Sequence, residues 1–125
     1  MSKRYIIDTN IFLWHLDDDP RLPAEFAEII GDSLVEIWIS IASLWEITVK
    51  SSQGKLQQIG DFNEFITQKF RATGFKILPI RTSHLLTLRT LPFHHKDPFD
   101  RLIIAQSLTE NLELLFTDDV FARYF

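Results

Sequence analysis

Short apolar runs alternate with longer amphipathic segments along the chain. Residues 5–7, 37–40, 75–80 and 112–116 form short runs rich in β-branched, aromatic and leucine side chains. Runs of this length and composition, bounded by polar residues, are typical of buried strands. Pro79 predicts that the third strand ends there or lies at a sheet edge.

The segments between these runs carry apolar side chains three and four residues apart. They predict helices over about residues 11–16, 23–30, 42–51, 61–73, 83–89 and 98–108, with a short helix after residue 119. Asp61 and Glu64 form a capping-box pattern at the start of the fourth helix, and Gly31 and Gly74 are suited to helix ends.

No two predicted strands are close enough in sequence for a tight hairpin. Strands that alternate with helices predict an α/β fold, in which a mostly parallel central sheet is covered by helices on both faces. Residues 1–125 are expected to form one domain of this kind. Ligands in such folds bind beyond the carboxyl ends of the strands, where Asp8, Asp118 and Asp119 lie.

The amino-acid composition excludes several classes of protein and of functional site. The chain has 125 residues, 46% of them hydrophobic, which favours a packed core over disorder. It has no cysteine, which excludes disulfides, zinc–thiolate sites and cysteine nucleophiles. No apolar run approaches the roughly 20 residues of a membrane span, so we expect a soluble, cytoplasmic protein. The net charge of −4 disfavours a basic surface that coats nucleic-acid phosphates.

Carboxylates stand at four strand ends or helix starts. They are Asp8, Glu46, the pair Asp97 and Asp100, and the pair Asp118 and Asp119. Gathered carboxylates repel one another unless a cation neutralises them, and oxygen ligands without cysteine favour Mg²⁺ or Mn²⁺. A metal held in this way can activate water for phosphodiester hydrolysis.

Simpler explanations exist for the first two positions. Asp8 fits a turn residue after a strand. Glu46 fits an ion pair with Lys50, one helical turn later, on the solvent face. The adjacent His94 and His95 are interpreted as polar loop surface rather than metal ligands.

The remaining acids also have structural alternatives. Asp97 precedes Pro98 and therefore fits a helix N-cap. Asp100 then completes the cap, interacts with the helix dipole or faces the site. Asp118 and Asp119 fit a solvated turn with a cap for the last helix. The residues alone leave these alternatives open.

Four segments, taken together, resemble the PIN-domain family, and within it the VapC-type toxins of bacterial toxin–antitoxin modules. They occur in the family order and cover the whole chain: IIDTN at 6–10, SLWEI at 43–47 with GKL at 54–56, HKDPFDRLIIAQ at 95–106, and FTDDVF at 116–121.

The resemblance implies a Mg²⁺- or Mn²⁺-dependent ribonuclease on a three-layer α/β/α fold. By motif position, Asp8, Glu46 and Asp100 match the three core acids of the family, and Asp119 matches the more variable fourth acid in a Thr-x-Asp pattern. It also implies that Asp100 is a ligand, whereas Asp97 is a cap or lies behind the ligands.

Supporting roles follow from the same resemblance. Thr9, Asn10 and Thr117 are expected to orient carboxylates through hydrogen bonds, and Lys50 and Arg101 to position phosphate. The implied partners are RNA, a VapB-like antitoxin and a second copy of the chain in a homodimer. The alternative is a PIN-like binding or regulatory module that acts mainly through its protein partner, with slight or no nuclease activity.

The net charge has a different meaning under this assignment. Without Asp8, Glu46, Asp100 and Asp119, the chain has 13 acidic and 13 basic residues. The negative charge then belongs to the metal site, and RNA binding without metal is expected to be weak.

Overall fold

The central sheet is parallel throughout, as predicted. A computed structural model describes residues 3–125 and contains four paired strands in the order β3-β2-β1-β4. The strands are β1 Arg4–Ile7, β2 Glu36–Ser40, β3 Lys76–Leu78 and β4 Glu113–Leu115. β1 pairs in parallel with β2 and β4, and β2 pairs in parallel with β3.

Helices connect the strands. They are α1 Thr9–Leu16, α2 Ala24–Gly31, α3 Ile41–Ser52, α4 Phe62–Glu64, continued by a π-helix Phe65–Phe70, α5 Thr82–Thr90 and α6 Pro98–Glu110, with 3₁₀ turns at Gln57–Ile59 and Asp119–Tyr124. α1 begins two residues earlier than predicted because Asp8 caps it, accepting a hydrogen bond from the Ile11 N–H at 2.8 Å.

Alternate strand residues supply a core on each face of the sheet. In β1, Ile6 packs into one core, with Ile103 and Ile104 of α6. Its neighbour Ile7 packs into the other, with Phe12 of α1. Helices therefore cover both faces, which confirms the predicted three-layer α/β/α architecture.

The π-helical segment has a packing reason. Phe65 and Phe70 are five residues apart and both buried, a spacing that places two side chains on one face when hydrogen bonds run from i to i+5. Their ring centroids lie 6.2 Å and 5.9 Å from that of Phe12. The amphipathic pattern predicts the helix but not this widened turn.

β3 shows why Pro79 limits the sheet. The strand spans only residues 76–78, stops before the proline and lies at the edge of the sheet, in agreement with the expectation for Pro79. Within residues 3–125, no helix has the length and apolar character needed to cross a membrane.

Candidate acidic active site

A cleft of about 170 Å³ opens at the carboxyl ends of the two central strands. Larger grooves exist, including one of about 640 Å³ beside β4, but this cleft combines acids from four separate segments. Its lining residues are Asp8, Thr9, Asn10, Glu46, Lys50, Asp97, Asp100, Asp118 and Phe121. The structure thus brings together carboxylates from the start of α1, the middle of α3, the start of α6 and the turn after β4.

Asp8 is buried at the end of β1, with only 4% of its surface exposed. Burial raises the pKa of its carboxyl to about 7, and the negative charges of Asp100 and Glu46 push in the same direction. The backbone N–H groups of Ile11 and Thr117 partly oppose this rise in pKa by donating hydrogen bonds. Asp8 is therefore a buried helix cap rather than an exposed turn residue.

Glu46 faces the cleft rather than solvent. Its Oε2 atom does pair with Lys50 Nζ at 2.9 Å, but the glutamate is buried, so the ion pair is not on a solvent face. Its Oε1 atom lies 2.9 Å from the Thr9 hydroxyl, which is itself 2.9 Å from the Ser43 hydroxyl. Because the Thr9 hydroxyl has one proton, it donates to the carboxylate and accepts from Ser43.

Ser43 has no place among the residues predicted for the site. It is fully buried and lies three residues before Glu46, on the same face of α3. That spacing is the sequence feature from which its position next to the carboxylate follows.

Asp97 is the N-cap of α6, as its position before Pro98 predicts. Its Oδ1 atom accepts a hydrogen bond from the Asp100 N–H at 2.9 Å. Burial raises the pKa of the Asp100 carboxyl to about 6, with further increases from the charges of Asp97 and Glu46. His95 partly opposes this increase in the pKa of Asp100.

His95 is not the polar loop surface that the sequence suggests. Its side chain is 16% exposed, and Nε2 lies 2.9 Å from Asp100 Oδ2, although the two atoms are not aligned as a hydrogen bond. Nδ1 accepts from the Asp97 N–H at 3.3 Å, which assigns a proton to the other ring nitrogen, Nε2. The ring also packs against Phe121, at 5.3 Å between centroids.

The turn after β4 presents Asp118 to the cleft. Asp118 lines the cavity and caps the last 3₁₀ turn, with its Oδ1 accepting from the Val120 N–H at 3.1 Å. Asp119, expected as the fourth acid, is exposed and is not among the lining residues. Asp118 lines the cleft in place of Asp119 because Asp118 is the N-cap of the 3₁₀ helix, and its side chain turns back over the start of that helix.

Arg101 does not reach the cleft to position phosphate. Its guanidinium is buried and donates to the carbonyl oxygens of Pro92 at 2.9 Å, His95 at 3.3 Å and Leu91 at 3.4 Å. It therefore fixes the loop before α6. Lys50 remains in the cleft wall.

The other expected supporting residues differ in what they contribute. The Thr9 side chain contacts Glu46, and exposed Asn10 lines the cleft. Thr117 acts on Asp8 through its backbone N–H, and its side chain is not part of the lining.

The donor set fits a hard divalent cation by charge and chemistry. Among residues 3–125, no three histidine or acidic side chains already converge as a metal-ligating group. Local partners account for this: Asp8 caps a helix, Glu46 contacts Thr9 and Lys50, and Asp100 faces His95. Yet the cleft collects five carboxyl groups with Lys50 as the one basic side chain in its lining, and all the acids offer oxygen ligands.

Comparison with known proteins agrees with this architecture. The family model for the PIN domain matches residues 5–124. One similar solved structure is the crystal structure of VapBC2 from Rickettsia felis bound to a DNA fragment from their promoter, with a TM-score of 0.71 and 18% sequence identity over 95% of this chain and 91% of the other. A search of curated proteins gives no match.

Proposed function

Because the chain belongs to the PIN domain family, we propose that it is a Mg²⁺- or Mn²⁺-dependent endoribonuclease, the toxin of a type II toxin–antitoxin module. One observation carries the proposal. Asp8 and Asp100, from distant parts of the sequence, share one cleft. The charge of Asp100 raises the pKa of Asp8, and the charge of Glu46 raises the pKa of both. Such a cleft is suited to a cation and a phosphodiester.

Asp8 and Asp100 are the residues that would hold the cation, with Asp118 as the third acid in the wall and Glu46 beside them. When bound, the cation supplies a Lewis acid for a phosphoryl oxygen and a bound water of lowered pKa. The sequence-based candidate Asp119 is retained as an alternative to Asp118, because the two adjacent residues share the same turn.

The remaining polar residues position the reaction. Thr9 holds one oxygen of Glu46, which leaves this carboxylate oriented to direct an attacking water at phosphorus. The half-exposed Lys50 side chain in the cleft wall would contact a phosphate oxygen through Nζ. The attacking water would form a new P–O bond and lose a proton to solvent. The bond between phosphorus and the 3′ oxygen would break, and the departing 3′ oxygen would take up a proton from solvent.

The proposed protein partner is taken by analogy from the similar structure, which contains VapBC2: we propose that a VapB-like antitoxin holds this chain inactive. The proposed homodimer and the proposed action on cytoplasmic RNA rest on the family resemblance instead. The analogy rests on fold similarity, and the partners are therefore tested separately from the cleavage reaction.

The decisive experiment replaces Asp8 with Asn. Asn preserves the helix cap and removes the charge, so Asp8→Asn should fold but lose RNA cleavage in Mg²⁺ or Mn²⁺ by at least about a hundredfold. Asp32→Asn is a matched control, because Asp32 accepts a backbone hydrogen bond from Leu34 in an exposed turn away from the cleft. Cleavage by Asp8→Asn at the wild-type rate would contradict the mechanism.

A second candidate function is a PIN-like module that works by binding its protein partner. It is favoured by the lack of a preformed three-ligand group in the described residues and by the Lys50 pairing of Glu46. Growth arrest on expression that persists in Asp8→Asn would support the binding module, whereas growth arrest lost in that variant supports the nuclease.

A further inference from the structure

A second groove lies beside the acidic cleft and has a different chemistry. It measures about 400 Å³ and is lined by Leu88, Arg89, Phe93, Lys96, Pro98 and Arg101. Asp97 and Asp100 lie between Lys96 and Arg101 in the sequence, and both line the acidic cleft. The segment 96–101 therefore forms a wall common to both depressions.

Phe93 is the most unusual residue of this groove. It is 84% exposed, the highest value among the large exposed apolar side chains of residues 3–125. Single exposed apolar side chains are common, but this ring also has a charged side chain packed against one of its faces. The Arg101 guanidinium carbon lies 4.2 Å from the ring centroid, a cation–π contact.

Arg101 fixes the position of the Phe93 ring. Its guanidinium is held by the carbonyl oxygens of Leu91, Pro92 and His95, in the same loop that carries Phe93. One face of the ring is therefore supported by a buried cation. The high exposure of Phe93 leaves the rest of the ring open to a planar ligand.

The charges around the ring select an anionic ligand. Arg89 and Lys96 are both exposed and line the groove with Phe93, and no acidic residue is among its lining residues. An open aromatic face between two cations matches one nucleotide unit, because the base stacks while the phosphate is neutralised. An acidic peptide would use the cations but has no general need for the open ring face.

We propose that this groove, the Phe93 groove, binds one nucleotide of single-stranded RNA next to the cleft, with the base on Phe93 and backbone phosphate at Arg89 and Lys96. The proposal deepens the nuclease function and rests on it for the identity of the nucleic acid. The shared 96–101 wall would let a strand bound in the Phe93 groove continue into the acidic cleft.

The test measures RNA binding without cleavage. A fluorescein-labelled single-stranded oligoadenylate is titrated with full-length protein in EDTA at low salt, and fluorescence anisotropy gives the Kd. Phe93→Ala should weaken binding roughly 5- to 150-fold, the range expected for loss of one base–aromatic stack. Phe93→Trp should restore affinity, and Leu34→Ala, at a residue 77% exposed beside β2, should leave it unchanged.

Salt dependence separates stacking from charge. Lys96→Gln should reduce the slope of log Kd against log salt by about 0.7, the value for one phosphate contact on a single strand. Phe93→Ala should weaken binding with the slope preserved. Melting curves of all variants check that they are folded.

The outcomes distinguish this inference from the proposed nuclease. Equal Kd values for wild type and Phe93→Ala, or no wild-type binding at low salt, would overturn the Phe93 groove as an RNA subsite even if RNA is cleaved in Mn²⁺. Equal Kd values would also favour a protein occupant. Phe93-dependent RNA binding without any cleavage in Mn²⁺ would support the subsite and contradict the nuclease.

Discussion

At the scale of single residues, the acids of the cleft also hold the ends of helices. Asp8 caps α1, Asp97 caps α6, and Asp118 caps the last 3₁₀ turn. Each of these carboxylates therefore accepts a backbone N–H while it faces the other acids. Removal by Ala would combine loss of a cap, typically about 1 kcal/mol, with loss of charge, whereas Asn separates the two effects.

The first residue-scale prediction concerns pH. The folded-state pKa of Asp8 is raised from 3.8 to about 7, and that of Asp100 to about 6. Between about pH 4 and pH 7 the folded state therefore binds more protons than the unfolded state, so the metal-free free energy of unfolding should fall as pH rises through this range. The free energy of unfolding should fall by at most about 1.4 kcal/mol per unit of difference between the folded and unfolded pKa values.

Urea unfolding in EDTA measures this effect. Subtracting the pH profile of Asp8→Asn from that of wild type isolates the Asp8 contribution, because Asn cannot ionise. At neutral to alkaline pH the variant should be as stable as wild type or more stable. A wild-type advantage that grows between about pH 5 and pH 7 would show that the sign is wrong.

The second residue-scale prediction concerns Thr9. Thr9→Val keeps the shape of the side chain but leaves Glu46 Oε1 and the Ser43 hydroxyl without their shared partner. We expect a loss of about 1–3 kcal/mol in unfolding free energy and slower RNA cleavage. Thr48→Val, at an exposed position whose hydroxyl donates to the Leu44 carbonyl, should have little effect on cleavage. Equal cleavage rates for Thr9→Val and wild type would remove Thr9 from the site.

At the scale of elements, a buried polar chain joins three helices. In α5, His84 is fully buried; its Nε2 lies 2.7 Å from Glu110 Oε2, and its Nδ1 accepts from the Arg81 N–H. Gln106 of α6 approaches the same ring and accepts from the Ser40 hydroxyl, which also caps α3. The helix that carries Glu46 is thus connected to α5 through side chains that do not line the cleft.

An element-scale prediction follows for His84. His84→Ala removes a buried ring and leaves the Arg81 N–H without its partner, so the free energy of unfolding should fall by roughly 2–4 kcal/mol. Leu86→Ala is the matched control on the same helix, since Leu86 is 72% exposed, and should change stability by less than about 0.5 kcal/mol. Equal urea midpoints for the two variants would mean that the polar chain does not anchor α5.

The elements are also where sequence analysis succeeds best. Apolar periodicity and the absence of hairpins predict the parallel sheet, and Pro98 predicts the Asp97 cap, because these depend on local spacing. The partial burial of His95 depends on its contacts with Asp100 at the start of α6 and with Phe121 near the end of the chain. The choice of Asp118 over Asp119 for the cleft wall depends on the orientation of a single turn, which composition does not encode.

At the scale of the whole molecule, charge is concentrated rather than spread. The net charge of −4 accompanies five carboxylates in one cleft, while the Phe93 groove nearby is cationic. Metal and RNA would therefore bind at neighbouring sites of opposite charge.

A divalent cation that binds only the folded state increases the free energy of unfolding by RT ln(1 + [L]/Kd), or about 2.7 kcal/mol at a hundredfold excess over Kd. This predicts a metal-dependent melting temperature. Calorimetry with EDTA, Mg²⁺ and Mn²⁺ should show an increase in Tm with each metal for wild type, and no increase for Asp8→Asn. Asp32→Asn should retain the wild-type increase. If no divalent ion shifts the wild-type Tm, the cleft is not a metal site.

The strand order has a further consequence, for biosynthesis. The central strand β1 is made before its partner β4, and two strands and at least three helices separate them along the chain, with Tyr5 opposite Glu113. Loop closure over such a separation delays pairing until both segments are available. During translation, Asp8 is therefore made long before Asp100 and Asp118 can join it. Under the proposed nuclease function, we expect the nascent chain to stay catalytically inert on the ribosome until β4 has emerged.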